Sequence, residues 1–86
     1  MVDARSIEVG AQAYLNEGGE EFGAVRAIDP RDGALTVYVE NARDYVVPLQ
    51  AVRTAHDGKV VLDAEQLPAS MRRAIRRAHQ REEPGM

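Results

Sequence analysis

At 86 residues, with 44% hydrophobic and 29% charged residues and a net charge of -3, the chain has the composition of one small folded domain over residues 1–86. It contains no cysteine, which excludes disulfides, thiolate metal sites and a cysteine nucleophile. It has no signal-peptide pattern and no run approaching the about 20 apolar residues of a membrane span, so we expect a cytoplasmic protein.

Three apolar segments predict the first strands, and the first and third of them show period-two alternation. Residues 9–15 and 22–28 flank Asn-Glu-Gly-Gly-Glu at 16–20, which is typical of a hairpin connection. Asp-Pro-Arg-Asp-Gly at 29–33 predicts the next turn, because proline presets φ and glycine closes the turn. Residues 35–40 then place Leu, Val and Val on one face and Thr, Tyr and Glu on the other.

Three further strands are predicted beyond the polar residues 41–44. Residues 45–49 contain Pro48, which restricts this strand to an edge or a strand end. Residues 52–55 and 59–62 flank an Asp-Gly turn. Six short strands leave no room for parallel crossovers, so we expect a small antiparallel β-barrel over residues 9–63.

The pattern changes to helical spacing after Leu62. Asp63 and Gln66 have the spacing of a capping box, and Pro68 suits the first turn of a helix. We therefore expect a helical segment over 64–82, with the main helix from Pro68 to Glu82 and a frayed tail at 83–86. An apolar stripe is predicted along this helix, consisting of Leu67, Met71, Ala74, Ile75 and Ala78.

Charge is distributed unevenly along the chain. Residues 1–68 carry 6 basic and 12 acidic residues, whereas residues 69–86 carry 5 arginines and 2 glutamates. The helical arginines are the candidate partner-binding residues, because guanidinium groups grip carboxylates and phosphates: Arg72, Arg73, Arg76, Arg77 and Arg81. The basic segment either folds back onto the acidic body, of its own chain or a second copy, or binds an external anion.

No residue pattern predicts catalysis, a cofactor or a metal site. His56 and His79 lack carboxylates at ligand spacing, so two solvated histidines are expected. Glu20 and Glu21, like the aspartates at 29 and 32, fall in predicted turns open to water, where a carboxylate is not tuned for acid–base work.

Four short motifs carry a family resemblance: Val9-Gly10, Phe22-Gly23-Ala24-Val25 followed by Ile28, Tyr45-Val46-Val47-Pro48-Leu49 followed by Val52, and Val60-Val61-Leu62. Through them residues 10–62 resemble the PRC-barrel superfamily, and in particular its small stand-alone bacterial members. The superfamily includes the cytoplasmic part of the photosynthetic reaction centre H subunit and the C-terminal domain of the bacterial ribosome maturation factor.

The resemblance implies a non-enzymatic protein-interaction module without a cofactor, whose partner is a protein or a second copy of the chain. A homodimer through the sheet edge near Val46 and Pro48, or through the helix, is compatible with so small a core. The alternative is a ribosome- or RNA-associated factor that contacts phosphates through the arginine-rich helix. Tyr14, Tyr38 and Tyr45 would support that alternative only if their rings faced outward to stack on bases.

Overall fold

Six strands and one long helix form the structure, a computed structural model that describes residues 4–15 and 21–82, with side chains at 5–15 and 21–78. The elements are β1 (Gln12–Leu15), β2 (Gly23–Asp29), β3 (Ala34–Val39), β4 (Asp44–Pro48), β5 (Val52–His56), β6 (Lys59–Leu62) and α1 (Ala69–Glu82). Short 3-10 turns occupy Ala4–Ser6, Leu49–Ala51 and Ala64–Gln66. A mainly β chain with a C-terminal helix is thus confirmed, while the hairpin predicted at 16–20 and the tail at 83–86 lie outside the described residues.

The strands form one mixed sheet in the order β4-β3-β2-β1-β6-β5. Consecutive strands from β1 to β4 pair antiparallel, as do β5 and β6, but β1 and β6 pair parallel, with Gln12 opposite Lys59. The prediction of a wholly antiparallel sheet is therefore wrong. A parallel pair needs a long connection, and here the four intervening strands themselves supply it.

The two edge strands of this sheet are joined by a very short link. β4 and β5 lie at opposite edges, yet only Leu49–Ala51 separates them in the chain. In a flat six-stranded sheet the edges would lie about 24 Å apart, whereas four Cα–Cα steps span at most about 15 Å. The sheet must therefore coil strongly. No strand pairing joins β4 to β5 within the described residues, so the predicted barrel closure is not confirmed.

Local chemistry explains the turns that shape the sheet. Asp29 accepts hydrogen bonds at Oδ1 from the backbone N–H groups of Arg31 (3.1 Å) and Asp32 (3.2 Å), which holds the turn between β2 and β3. Asp57 and Gly58 both have positive φ, 53° and 73°, as the predicted Asp-Gly hairpin turn requires. Val9 was predicted to start the first strand, but it lies in a turn and is 65% exposed.

One face of the sheet and one face of α1 share the core. The largest fully buried side chains include Phe22, Leu35, Leu62, Met71 and Ile75. Alternate residues of β3 are buried, which confirms its predicted period of two. The helical stripe is also confirmed, because Leu67, Met71, Ile75 and Ala78 are buried and Ala74 packs against the core while half-buried. Apolar burial thus fixes which side of α1 faces solvent.

The start of the helical segment follows the prediction only in part. Asp63 caps the 3-10 turn by accepting a hydrogen bond from the backbone N–H of Glu65 (3.0 Å). A capping box would bond the Asp63 N–H to the Gln66 side chain, but that N–H donates to the carbonyl oxygen of Ala51 (2.7 Å). This bond ties the entry of the helical segment to the link between β4 and β5.

Candidate functional site: an arginine groove beside the helix

The exposed arginines of α1 fall on two different flanks. An α-helix turns about 100° per residue, so Arg72 and Arg76 lie on one side of the buried stripe while Arg73 and Arg77 lie on the other. All four side chains are exposed. The fifth predicted residue, Arg81, has its side chain outside the described part of the chain. The predicted arginine face is one arc of about 140°, with Arg73 only about 60° from Arg76. The side of the arc that carries Arg73 and Arg77 is the one beside the β3–β4 turn.

Arg73 and Arg77 line a groove of about 470 Å³ between α1 and the β3–β4 turn. Arg43 and Glu40 line the opposite wall, and Tyr45 and Ala74 also contribute to the surface. Arg72 and Arg76 take no part in this lining. We call this feature the arginine groove, defined by Arg43, Tyr45, Arg73, Ala74 and Arg77.

The tight turn between β3 and β4 positions Arg43. Asn41 adopts a left-handed conformation (φ 62°), which asparagine tolerates better than most residues. The Val39 N–H donates to the carbonyl oxygen of Arg43 (3.0 Å), and the Ala42 N–H donates to that of Val39 (3.0 Å). The backbone at Arg43 is thus fixed immediately before β4 begins.

Tyr45 connects Arg43 to the helix side of the sheet. In the β3–β4 register Tyr45 lies opposite the buried Val37, and directly paired residues share a face. The Arg43 guanidinium carbon lies 5.1 Å from the centroid of the Tyr45 ring, within cation–π distance. This contact directs the Arg43 side chain, which the sequence analysis did not identify. The sequence pattern that could have indicated this contact is an arginine and a tyrosine two positions apart. This spacing places both side chains on one face of an extended segment.

The lining of the arginine groove is mainly positive. Among its described residues are the cations of Arg43, Arg73 and Arg77 and one carboxylate, Glu40, a formal excess of two positive charges. Small side chains at Ala42, Ala74 and Ala78 also line it and leave space between the walls. Among the described side chains, neither Arg73 nor Arg77 forms an ion pair with the sheet, so their charge remains available to an anion.

The other two tyrosines lie on the opposite face of the sheet. Tyr38 alternates with the buried Val37 and Val39, and Tyr14 follows the buried Ala13. The Arg26 guanidinium carbon lies 4.7 Å from the Tyr38 ring centroid, and Lys59 Nζ lies 5.9 Å from that of Tyr14. Tyr14 and Tyr38 thus lie away from the arginine groove, and each of their rings has a cation beside it.

We expect Arg76→Ala to leave stability almost unchanged. Arg76 is exposed, lies outside the arginine groove and makes no described ion pair, so its loss should cost no more than about 0.5 kcal/mol. Urea denaturation followed by circular dichroism measures this directly. A loss above about 1 kcal/mol would instead show that this side chain clamps the helix to the acidic body.

Other candidate sites remain scattered. His56 is exposed at the end of β5, and the side chain of His79 lies outside the described part. Among the side chains that are described, no three His, Asp or Glu residues gather closely enough to hold a metal ion. No helix in the described ranges combines the length and the apolar character needed to cross a membrane.

Comparison of the chain with protein-family models, with curated proteins and with solved structures finds no match. The chain is therefore classified by its architecture alone. It is a mainly β chain with a mixed six-stranded sheet, a C-terminal helix and an exposed basic groove between them.

Proposed function

We propose that this chain is a non-enzymatic protein-interaction module of the PRC-barrel type, and that it contacts its partner at the arginine groove. The observation that carries this proposal is the convergence of Arg43 with Arg73 and Arg77 on one groove, from parts of the chain that are distant in sequence. If the helical arginines served only to keep the helix surface solvated, there would be no need for Arg43 of the β3–β4 turn beside them. In this proposal the protein is cytoplasmic and its partner is anionic at the contact.

The barrel part of the proposal rests on the strong coiling of the sheet and on the motif residues. The link Leu49–Ala51 brings the ends of opposite edge strands together. Gly23, from the second motif, lies where a Cβ would be only 1.7 Å from the carbonyl oxygen of Tyr38. A glycine at this position allows β2 to approach β3 closely, as a tightly curved sheet requires.

The chemistry of the groove favours binding over catalysis. Its cations are guanidinium groups, which carry N–H donors but no acceptor and so cannot act as a general base or a nucleophile. Their planar arrays of N–H donors suit two-point contacts with carboxylates or phosphates. The residues that define the site are therefore those of an anion-binding surface.

A second candidate function, the RNA-associated factor, is favoured by the four exposed arginines that cover both flanks of α1. A phosphate backbone that crosses the helix would use Arg72 and Arg76 as well as the groove pair. Three or four phosphate contacts would give a log–log salt slope of about -2 to -4. The positions of Tyr14 and Tyr38 on the far face of the sheet do not favour base stacking beside these arginines.

Self-association through β4 would have only a short edge to use. Val37 and Tyr45 form a directly opposed pair, and hydrogen bonds join Val39 to Arg43 and Leu49 to Gly33. In this register the odd-numbered residues of β4 bond to β3, so the even-numbered ones face the free edge. Pro48 is one of them and has no N–H to donate. A homodimer at this edge would therefore rest on few main-chain hydrogen bonds.

The proposed function is tested by affinity capture from a lysate of the source organism, with and without nuclease. The variants are Arg73→Ala/Arg77→Ala and the matched control Arg72→Ala/Arg76→Ala, which removes the same charge from the other flank. We expect the wild type and the control variant Arg72→Ala/Arg76→Ala to capture one protein even after nuclease treatment. The groove variant Arg73→Ala/Arg77→Ala should no longer capture it. If the captured material is lost on nuclease treatment, and is also lost with each of the two double variants, the interaction-module proposal is contradicted and the RNA-associated factor is supported.

A further inference from the structure

We propose that the arginine groove binds an extended acidic peptide segment of the partner, through two carboxylate side chains two positions apart. This inference rests on the proposed function and adds the chemical class of the ligand to it. The groove presents guanidinium groups on both walls, Arg73 and Arg77 from the helix and Arg43 from the β3–β4 turn. The segment would lie between these walls.

The length of the groove fits a short peptide. Along α1 its lining runs from Ser70 to Ala78, which at a rise of 1.5 Å per residue is about 12 Å. An extended chain advances about 3.4 Å per residue, so three or four residues fill this length. A volume of about 470 Å³ is within the range of specific ligand sites.

The spacing of the helical arginines selects the pattern of carboxylates. Arg73 and Arg77 are one turn apart, about 6 Å along the helix axis. In an extended peptide, side chains at positions i and i+2 lie on the same side and about 7 Å apart. Two such carboxylates can therefore meet the two arginines at once, whereas adjacent carboxylates point to opposite sides.

The remaining groove surface favours a peptide over a nucleic acid. The small side chains of Ala42, Ala74 and Ala78 offer apolar contact to a peptide backbone and to glutamate methylene groups. The Tyr45 ring already has Arg43 at 5.1 Å from its centroid, which leaves less of the ring for a base to stack on. Both features favour a peptide as the ligand.

Fluorescence anisotropy with three labelled probes tests the inference. The first is a peptide with the core Ser-Glu-Ser-Glu-Ser, the second has both glutamates replaced by glutamine, and the third is hexauridylate. Titrations are made at about 150 mM salt, where the Debye length is about 8 Å and charges outside the groove are largely screened. The protein variants are Arg73→Gln/Arg77→Gln, the control Arg72→Gln/Arg76→Gln, and Arg43→Gln. Circular dichroism establishes that each variant is folded.

We expect the glutamate peptide to bind and the glutamine peptide to bind at least about tenfold more weakly, since one charge-assisted contact contributes about a factor of ten. The groove pair should lose at least about tenfold in affinity and Arg43→Gln about fivefold to tenfold, while the control pair changes less than about twofold.

Several results would overturn the inference. If both double variants lost the same affinity for the glutamate peptide, the peptide would be held by diffuse attraction to the helix. If the glutamate peptide did not bind at all, the carboxylate ligand would be excluded. Tighter binding of hexauridylate, weakened by either pair, would assign the surface to nucleic acid. The capture experiment separates the two proposals: a partner that is lost with Arg73→Ala/Arg77→Ala, but is not displaced by the glutamate peptide, would uphold the module and reject this ligand.

Discussion

Val37→Asp should destabilise the domain by at least about 4 kcal/mol, which removes a large part or all of its stability. Val37 is 0% exposed, and it lies on the inner strand β3 between β2 and β4. An unpaired carboxylate there costs about 4 kcal/mol or more, against a total stability of about 4 to 13 kcal/mol for a chain of this length. Thermal denaturation should show a midpoint lower by about 15–30 °C, or no cooperative transition.

Val46→Asp is the matched control for this prediction. Val46 is on the adjacent strand β4 and is 67% exposed, so the same change adds a solvated charge and costs less than about 1 kcal/mol. If both variants lost stability equally, strand propensity would be the cause of the effect, and the burial of the β3 face would be refuted.

Gly23→Ala should be the most damaging single-methyl addition in the sheet. A Cβ at Gly23 would lie 1.7 Å from the carbonyl oxygen of Tyr38 and 2.8 Å from its carbonyl carbon. Both atoms belong to the backbone, so β2 and β3 would have to separate. We expect a loss of about 3 kcal/mol, at the upper end of overpacking effects, measured by urea denaturation with an unchanged m-value.

Gly33→Ala separates this steric effect from backbone strain. Gly33 has φ 62°, but a Cβ there would meet nothing within 4 Å, so only the left-handed conformation is penalised, by about 1 kcal/mol. A smaller loss for Gly23→Ala than for Gly33→Ala would contradict the close approach of the two strands.

Much of the fold could be predicted because it is encoded locally. Period-two alternation predicted the first and third strands, and short apolar segments between turn residues predicted the other four, all to within a few residues. The Asp-Gly and Pro-containing turns separated them correctly. The parallel pairing of β1 with β6 could not be predicted in this way. It depends on how the coiled sheet returns to its first strand, and no short-range residue pattern specifies that return.

The candidate site was predicted less completely than the fold. Arg73 and Arg77 were identified from helical spacing, together with Arg72 and Arg76, which the structure places on a different flank. Arg43 was missed because its relation to α1 is purely tertiary. The spacing of Arg43 and Tyr45 indicates that their side chains share a face. Only the packing of α1 beside the β3–β4 turn reveals that this face borders Arg73 and Arg77.

The parallel pair of β1 and β6 also bears on how the protein reaches its folded state. Gln12 and Lys59 are paired although more than half of the chain lies between them. During synthesis β1 to β4 can form an antiparallel meander early, but its apolar face stays uncovered until β6 and α1 have been made. Contacts of such long sequence separation slow folding to about the millisecond-to-second range. The nascent chain therefore passes through a stage in which the exposed apolar face of its meander makes it prone to aggregation.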